Sequence, residues 1–256
     1  MTLLTVEERK VRQEAKQRSV LRFLRTSIYS SNDILGEVLE LKSPSSVSRS
    51  LAAIERRELI KRHTFHVLSG RMTLWGITAH GQAMAVDPQE DIVSHTFEPS
   101  KVGLATLQHT LDLQRLEVRA DKAGWRGWKS CDRGPMRVFA VENGNHREGS
   151  SSGSRPDAVA ITPGGVCVSI ELERTIKTPR RYRDQIIPSH LQRINAGDCQ
   201  YVVWVLNDAD QLDRLQRILR TAAKELQAKG RFHLQPERVT GKIFRFTTVQ
   251  DWPAYT

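Results

Sequence analysis

Residues 155–183 read RPDAVAITPGGVCVSIELERTIKTPRRYR. Asp157 precedes a short apolar run and the turn Pro163-Gly164-Gly165. Glu171 and Glu173 end the run that follows. Lys177 and three arginines, Arg180, Arg181 and Arg183, then surround Tyr182. The turn decides the reading. A three-residue loop with proline first and glycine last, the glycine left-handed, closes a bulged hairpin. Thr162 then faces Val166 and, stepping outward, Asp157 faces Glu171. Glu173 shares the face of Glu171 because the side-chain period of a strand is two. Val166, Val168, Ile170 and Leu172 point the other way, into a core. A one-residue change of loop length would move Asp157 to the opposite face. Carboxylates this close repel unless a proton or a cation relieves them, and oxygen-only ligands suit Mg²⁺ or Mn²⁺. The plainer alternative is a solvated sheet edge with surface ion pairs.

Outward from the hairpin, WKSCD and MRVFAV are weaker strand candidates. YVVWVL (201–206) is a continuous apolar run, the pattern of a buried central strand. KVGLATLQHTLDLQRLEV (101–118) predicts a helix apolar on two faces. Leu104, Leu107, Leu111 and Val118 form one face; His109, Leu113, Leu116 and Glu117 form the other. Such a helix packs between layers. TPRRYRDQIIPSHLQRIN predicts a helix with Thr178 as cap, Pro179 at its first position and a stripe of Ile187, Leu191 and Ile194. Tyr182 falls roughly opposite that stripe. There it would stack on a base or act as a strand-transfer nucleophile; the alternative is a partly buried ring near Ile186. Arg180, Arg181 and Arg183 are expected to face phosphates, because the guanidinium fork matches phosphate oxygens, or else to form a plain basic surface. DADQLDRLQRILRTAAKEL is a long amphipathic helix. Cys167 and Cys199 read as small buried hydrophobes.

The first third reads helix, helix, helix, hairpin, helix. Residues 7–27 form a charged helix, and SSNDILGEVLEL opens on cap-type residues and runs about two turns. In KSPSSVSRSLAAIERREL, Ser43 is the N-cap, Pro44 the first helical residue, and Val47, Leu51 and Ile54 the buried stripe. Its opposite face carries Ser45, Ser48, Arg49, Ala52 and Arg56. LIKRHTFHV and RMTLWGIT are strand-like runs joined through LSGR. His63 and His66 on that hairpin lack a third partner for a metal.

The 256 residues suffice for two domains. No apolar run approaches the length of a membrane span, and the charged N-terminus lacks the apolar core of a signal peptide. Three cysteines make neither a disulfide framework nor a zinc pattern, which fits a reducing cytoplasm. The net charge is +10. Residues 1–85 carry 14 bases and 8 acids, residues 86–100 carry 4 acids and no base, and residues 101–256 carry 25 bases and 17 acids. Two basic blocks about an acidic joint fit a nucleic-acid partner. With the prolines of MAVDPQEDIVSHTFEPSK, they set an N-terminal domain at 1–85, a linker at 86–100 and a second domain at 101–256. VENGNHREGSSSGSRP (141–156) reads as a loop.

Over residues 15–85 the order and lengths resemble a winged helix-turn-helix domain. The resemblance implies a third helix in the major groove, read by Ser45, Ser48, Arg49 and Arg56, and a wing touching the DNA backbone through Lys61, Arg62, His66 and Arg71. The alternative use of such a domain is dimerisation or protein contact. From 101 to 206 the order of elements resembles the PD-(D/E)XK nuclease superfamily, an α/β fold. Its PD is Pro156-Asp157 here and its E-x-K falls on Glu171-Leu172-Glu173, with glutamate where the lysine belongs. Divergent members supply the lysine from a neighbouring helix, which points to Lys177. The family's first helix often gives an acidic ligand, for which Glu117, on the face of His109, is the candidate. The basic winged helix followed by PDAVAI and IELERTIKTPRRYRDQI is also similar to the MobC-type plasmid mobilisation relaxases and the replication-relaxation proteins, over roughly 15–206. That resemblance implies conjugative mobilisation. A cytoplasmic relaxase would bind the duplex and single strand of a plasmid transfer origin and nick one strand with Mg²⁺ or Mn²⁺ on Asp157, Glu171, Glu173 and Glu117. His109, Lys177 and Tyr182 would assist, together with a coupling or accessory mobilisation protein. It has no membrane partner. The alternative is a DNA-binding regulator or replication accessory with a degenerate nuclease domain; a third possibility is a nuclease making double-strand breaks.

Overall fold

A computed structural model describes residues 5–67, 70–85, 95–131, 155–230 and 239–254. The turn at 68–69, most of the expected linker, the MRVFAV run and nearly all of the Gly/Ser-rich loop lie outside them. The chain is mixed α/β and divides into two compact units, Met1–Val118 and Arg119–Thr256. Among the described residues no helix is long and apolar enough to cross a membrane.

The first unit runs α1 (Val6–Ser27), β1 (Tyr29–Ser31), α2 (Asn32–Val38), α3 (Pro44–Glu55), β2 (Ile60–Val67), β3 (Gly70–Ile77) and α4 (Ala79–Met84). Its antiparallel sheet has the order β1-β3-β2. The three-residue β1, too short to show a period, is an addition to the sequence reading. Val47, Leu51 and Ile54 of α3 are buried as their spacing predicts, against Val20, Leu24, Leu35, Trp75 and Ile77. Ser43 has the extended conformation of an N-cap but makes no capping bond; its hydroxyl lies 2.9 Å from that of Ser45.

A second cluster unites Ile34 and Leu74 with Phe97, Val102, Leu107 and Leu111. Phe97 donates its N–H to Ile77 O at 2.9 Å and lies over Gly76, where an added Cβ would come within 2.0 Å of the ring. The end of the expected linker is therefore part of the first unit's core. The helix α5 spans Leu107–Lys122, starting later than its sequence predicts, and Leu104 is exposed rather than packed. Gly103 interrupts the approach to it. Gln114 ties its first half down: it accepts from Ser30 Oγ at 2.7 Å and donates to Tyr29 O at 2.8 Å.

The second unit holds β4 (Arg126–Ser130), β5 (Ala158–Ile161), β6 (Cys167–Glu173), α6 (Pro179–Arg181), a π-helical turn (Tyr182–Ile186), α7 (Ile187–Ala196), β7 (Tyr201–Leu206), α8 (Ala209–Ala228) and β8 (Phe244–Thr248). The sheet order is β4-β5-β6-β7-β8. The first three strands are antiparallel, and β6, β7 and β8 are parallel. Every residue of β7 is buried, as its apolar run predicts. Strand β6 is buried on both faces from Val168 onward. The face bearing Ser169, Glu171 and Glu173 is thus interior, not solvated. In register, Glu171 stands beside Trp204 and Glu173 beside Leu206. Trp204 and Leu206 pack with Tyr182, Ile186, Ile187, Leu191 and the inner stripe of α8.

Candidate functional site

The β5–β6 hairpin has the register set by its turn. Ile161 pairs with Cys167 and Ala158 with Ile170. Gly165 is left-handed at φ 80° and donates to Thr162 O at 2.9 Å. The ladder stops at Ala158. Asp157 gives its N–H to Ile170 O at 3.1 Å, and its Oδ2 accepts from the Leu172 N–H at 2.7 Å. A backbone amide, rather than continued pairing, holds the Asp157 carboxylate near Glu171.

Glu171 is 8% exposed and His190, from α7, is fully buried. His190 Nε2 lies 3.1 Å from Glu171 Oε1, but the approach is poorly aligned and neither atom makes a well-formed hydrogen bond. Burial, then the nearby Asp157 charge, pushes the Glu171 carboxyl well above the ordinary range. Burial, then Arg193, pulls His190 down to about 3. Both shifts favour an uncharged pair.

Glu173 is 2% exposed and fully engaged. Lys177 Nζ donates to its two oxygens at 2.7 and 2.6 Å, and the Tyr182 hydroxyl donates to Oε2 at 2.7 Å. The same hydroxyl accepts from the Lys177 N–H at 3.0 Å. Lys177, from the loop that follows β6, therefore neutralises the Glu173 carboxylate.

Tyr182 is not on an outer face. Its ring is fully buried and meets Trp204 edge-on at 6.0 Å between centroids. The cause is Pro188, which has no N–H for the carbonyl of Asp184. The ladder instead runs i to i+5 through the π-helical turn, with Ile187 N–H on Tyr182 O. Five residues that would leave Tyr182 about 140° from Ile187 on an α-helix become one turn, so both face the core. Burial and the Glu173 charge raise the phenol far above its ordinary value. A stacking or nucleophilic role at an open surface does not fit this placement.

Arg183 also departs from expectation. Its guanidinium bonds Asp184 at 2.7 Å and Glu225 at 2.7 Å, so its fork is occupied by carboxylates. Arg180 and Arg181 are exposed, Arg180 reaching Asp184 at only 3.5 Å. His109 and Glu117 are half-buried on α5 in the first unit, whereas Asp157, Glu171, Glu173 and Lys177 belong to the second. Ser45, Ser48, Arg49 and Arg56 are exposed on α3, and Lys61, Arg62, His66 and Arg71 on the hairpin. Arg49 Nη2 donates to Ser46 Oγ at 3.3 Å; Arg62 lies 3.6 Å from Glu55 and over the Trp75 ring. His190 and Arg193 are the residues that sequence reasoning missed. His190 follows Ile187 by three, inside the apolar stripe of its helix, and a polar residue there was the available signal.

Among the described residues no group of three His, Cys, Asp or Glu is arranged to hold a metal ion. Glu173 does not fit that task, since its oxygens are taken. Asp157 and Glu171 are the oxygen donors that would suit a hard cation, with Oε1 of Glu171 buried and short of a good donor and the Asp157 charge helping to hold its proton on.

No protein-family model and no curated protein matches this chain. Among solved structures, an apo-form double mutant of Lactococcus lactis ZitR is 23% identical over 31% of this chain and 58% of that one, with a TM-score of 0.24. A likeness at that score carries no argument about this chain.

Proposed function

We propose that the chain is a DNA-processing protein of the plasmid-mobilisation class, binding duplex DNA through its first unit and nicking one strand at the carboxylates of its second. The observation that carries the reading is the join of Asp157, Glu171 and Lys177 about one hairpin. Its support is the order helix, three antiparallel strands, helix, parallel strand, which resembles the order expected of a PD-(D/E)XK core. The first unit supports it through the winged-helix order, with the β1-β3-β2 sheet and an exposed Ser/Arg face on α3.

Asp157 and Glu171 are the residues that would hold Mg²⁺ or Mn²⁺. A divalent ion there supplies Lewis-acid stabilisation of charge on a phosphoryl oxygen. To serve as a ligand Glu171 would have to be ionised, which its burial and then the Asp157 charge oppose. Lys177, held in place by its ion pair with Glu173 and part exposed, would turn its remaining N–H towards the scissile phosphate. Arg180 and Arg181 hold the strand by its backbone. Supercoiled plasmid bearing the transfer origin, incubated with the protein and Mn²⁺, should become open circular. Equal nicking by Asp157→Ala would overturn the site.

The engagement of Glu173 favours a second reading. With one carboxylate paired and another kept neutral, the second unit would be a degenerate nuclease domain in a DNA-binding regulator or replication accessory. DNA binding without cleavage under any divalent ion distinguishes it.

A further inference from the structure

The second unit has a basic notch at the other end of its sheet. It forms a cavity of about 400 Å³ whose lining includes Thr162, Gly164, Gln200, Tyr201, Lys242 and Arg245, with no carboxylate among the described residues. Val168 pairs with Tyr201 at this end of β6–β7, and Glu173 with Leu206 at the far end. Five residue steps along β6 separate the two pairs, about 17 Å.

The notch is built rather than merely charged. The Arg245 guanidinium lies 3.8 Å from the centre of the Tyr201 ring, and Tyr201 is buried. Stacking fixes the plane of the fork and leaves its N–H edges for an acceptor. Lys242 is exposed three residues earlier, at the end of a π-helical turn spanning Val239–Ile243. Thr162 lines the notch, and its oxygen accepts from the Val166 N–H at 3.2 Å, which leaves the hydroxyl proton as a donor.

A planar fork, a point charge and a hydroxyl around a concave site form the donor set of a tetrahedral oxyanion. We propose that this notch binds a phosphate group, carried by a single nucleic-acid strand or by a free phosphate compound. The inference does not use the carboxylate chemistry, so a chain unable to nick DNA tests it equally well.

The test is binding of a labelled oligothymidylate to the full chain, followed by anisotropy across a salt series. Arg245→Gln and Lys242→Gln should each weaken binding about tenfold. Together they should lower the slope of log affinity against log salt by about 0.7, the value for one phosphate neutralised on a single strand. Arg245→Lys, which keeps the charge and loses the fork, should lose nearly as much as Arg245→Gln. In a second arm, inorganic pyrophosphate competes with the strand. Displacement from wild type but not from the double variant assigns the notch to free phosphates; no displacement assigns it to the strand backbone. Wild-type behaviour of Arg245→Lys towards both probes overturns the proposal. So does an equal loss on changing Arg214, an exposed arginine of α8, to Gln.

Discussion

Lys177 and Glu173 form a two-pronged ion pair, with Nζ at 2.7 and 2.6 Å from the two carboxylate oxygens. The partners are unequal: the Lys177 side chain is 31% exposed and that of Glu173 is 3% exposed. Removing the lysine strands a buried charge, whereas removing the glutamate frees a lysine that can turn to water.

Lys177→Ala should therefore destabilise the chain by about 2–3 kcal/mol, and Glu173→Gln by about 1 kcal/mol. Urea unfolding of both variants at neutral pH reads the difference. Equal losses would mean that the pair behaves as an ordinary surface bridge.

The buried Glu171–His190 contact predicts a pH signature. The Glu171 pKa is raised above 4.5 in the folded chain, so folding retains a proton there and its contribution falls as pH rises. The His190 pKa is lowered from 6.5 to about 3, so folding expels a proton and its contribution grows as pH rises. Between pH 4.5 and 6.5 the two slopes oppose and cancel. Glu171→Gln should expose a stability that rises with pH, by roughly 1.4 kcal/mol per unit. His190→Gln should expose one that falls. Chemical denaturation across this window checks both, and a flat profile in both variants would sink the assignment.

Gly76→Ala should cost about 1–3 kcal/mol, because Phe97 occupies the space of the new methyl. Phe97→Ala alone opens a cavity at a fully buried ring. The double variant should cost clearly less than the two singles combined. Additive losses would show that Gly76 serves some purpose other than the close approach of Phe97.

The parts of the second unit that could be read in advance depend on local rules. Pro163-Gly164-Gly165 dictates a loop length, the loop length dictates register, and register puts Glu171 and Glu173 on one face. YVVWVL dictates a strand buried on both faces. Three features were not legible because each is a tertiary outcome. Asp157 reaches its place through the Leu172 amide, beyond the last paired residue. Glu173 is buried because Lys177 and Tyr182, from the loop and the π-helical turn that follow β6, close over it, which strand alternation alone does not reveal. Tyr182 turns inward because one proline lengthens one turn of helix, and a fixed 3.6-residue period carries the error to every residue before it. In the first unit, the acidic and proline-rich composition of 86–100 reads as a joint, yet Phe97 anchors its end to the core.

Arg49→Ala and Arg56→Ala, both at exposed positions on α3, should weaken duplex binding and lower the salt slope by about 0.9 for each phosphate no longer neutralised. A loss of sequence preference at unchanged slope would instead mark that arginine as a reader of base edges. Unchanged affinity and slope in the double variant would remove α3 from the DNA interface.

Tyr182 separates a structural tyrosine from a nucleophilic one. Its hydroxyl bonds Glu173 and the Lys177 amide in a fully buried setting. Tyr182→Phe should lower stability by about 1–2 kcal/mol, since a buried carboxylate oxygen loses a donor. It should leave any metal-dependent nicking within a few-fold of wild type, because the phenol is held neutral and away from solvent. Nicking assays with end-labelled strand, followed by denaturing gels that retain covalent protein–DNA adducts, read both quantities. An adduct formed by wild type and abolished in Tyr182→Phe would require the π-helical turn to unwind and expose the ring, and would overturn the buried role assigned to it.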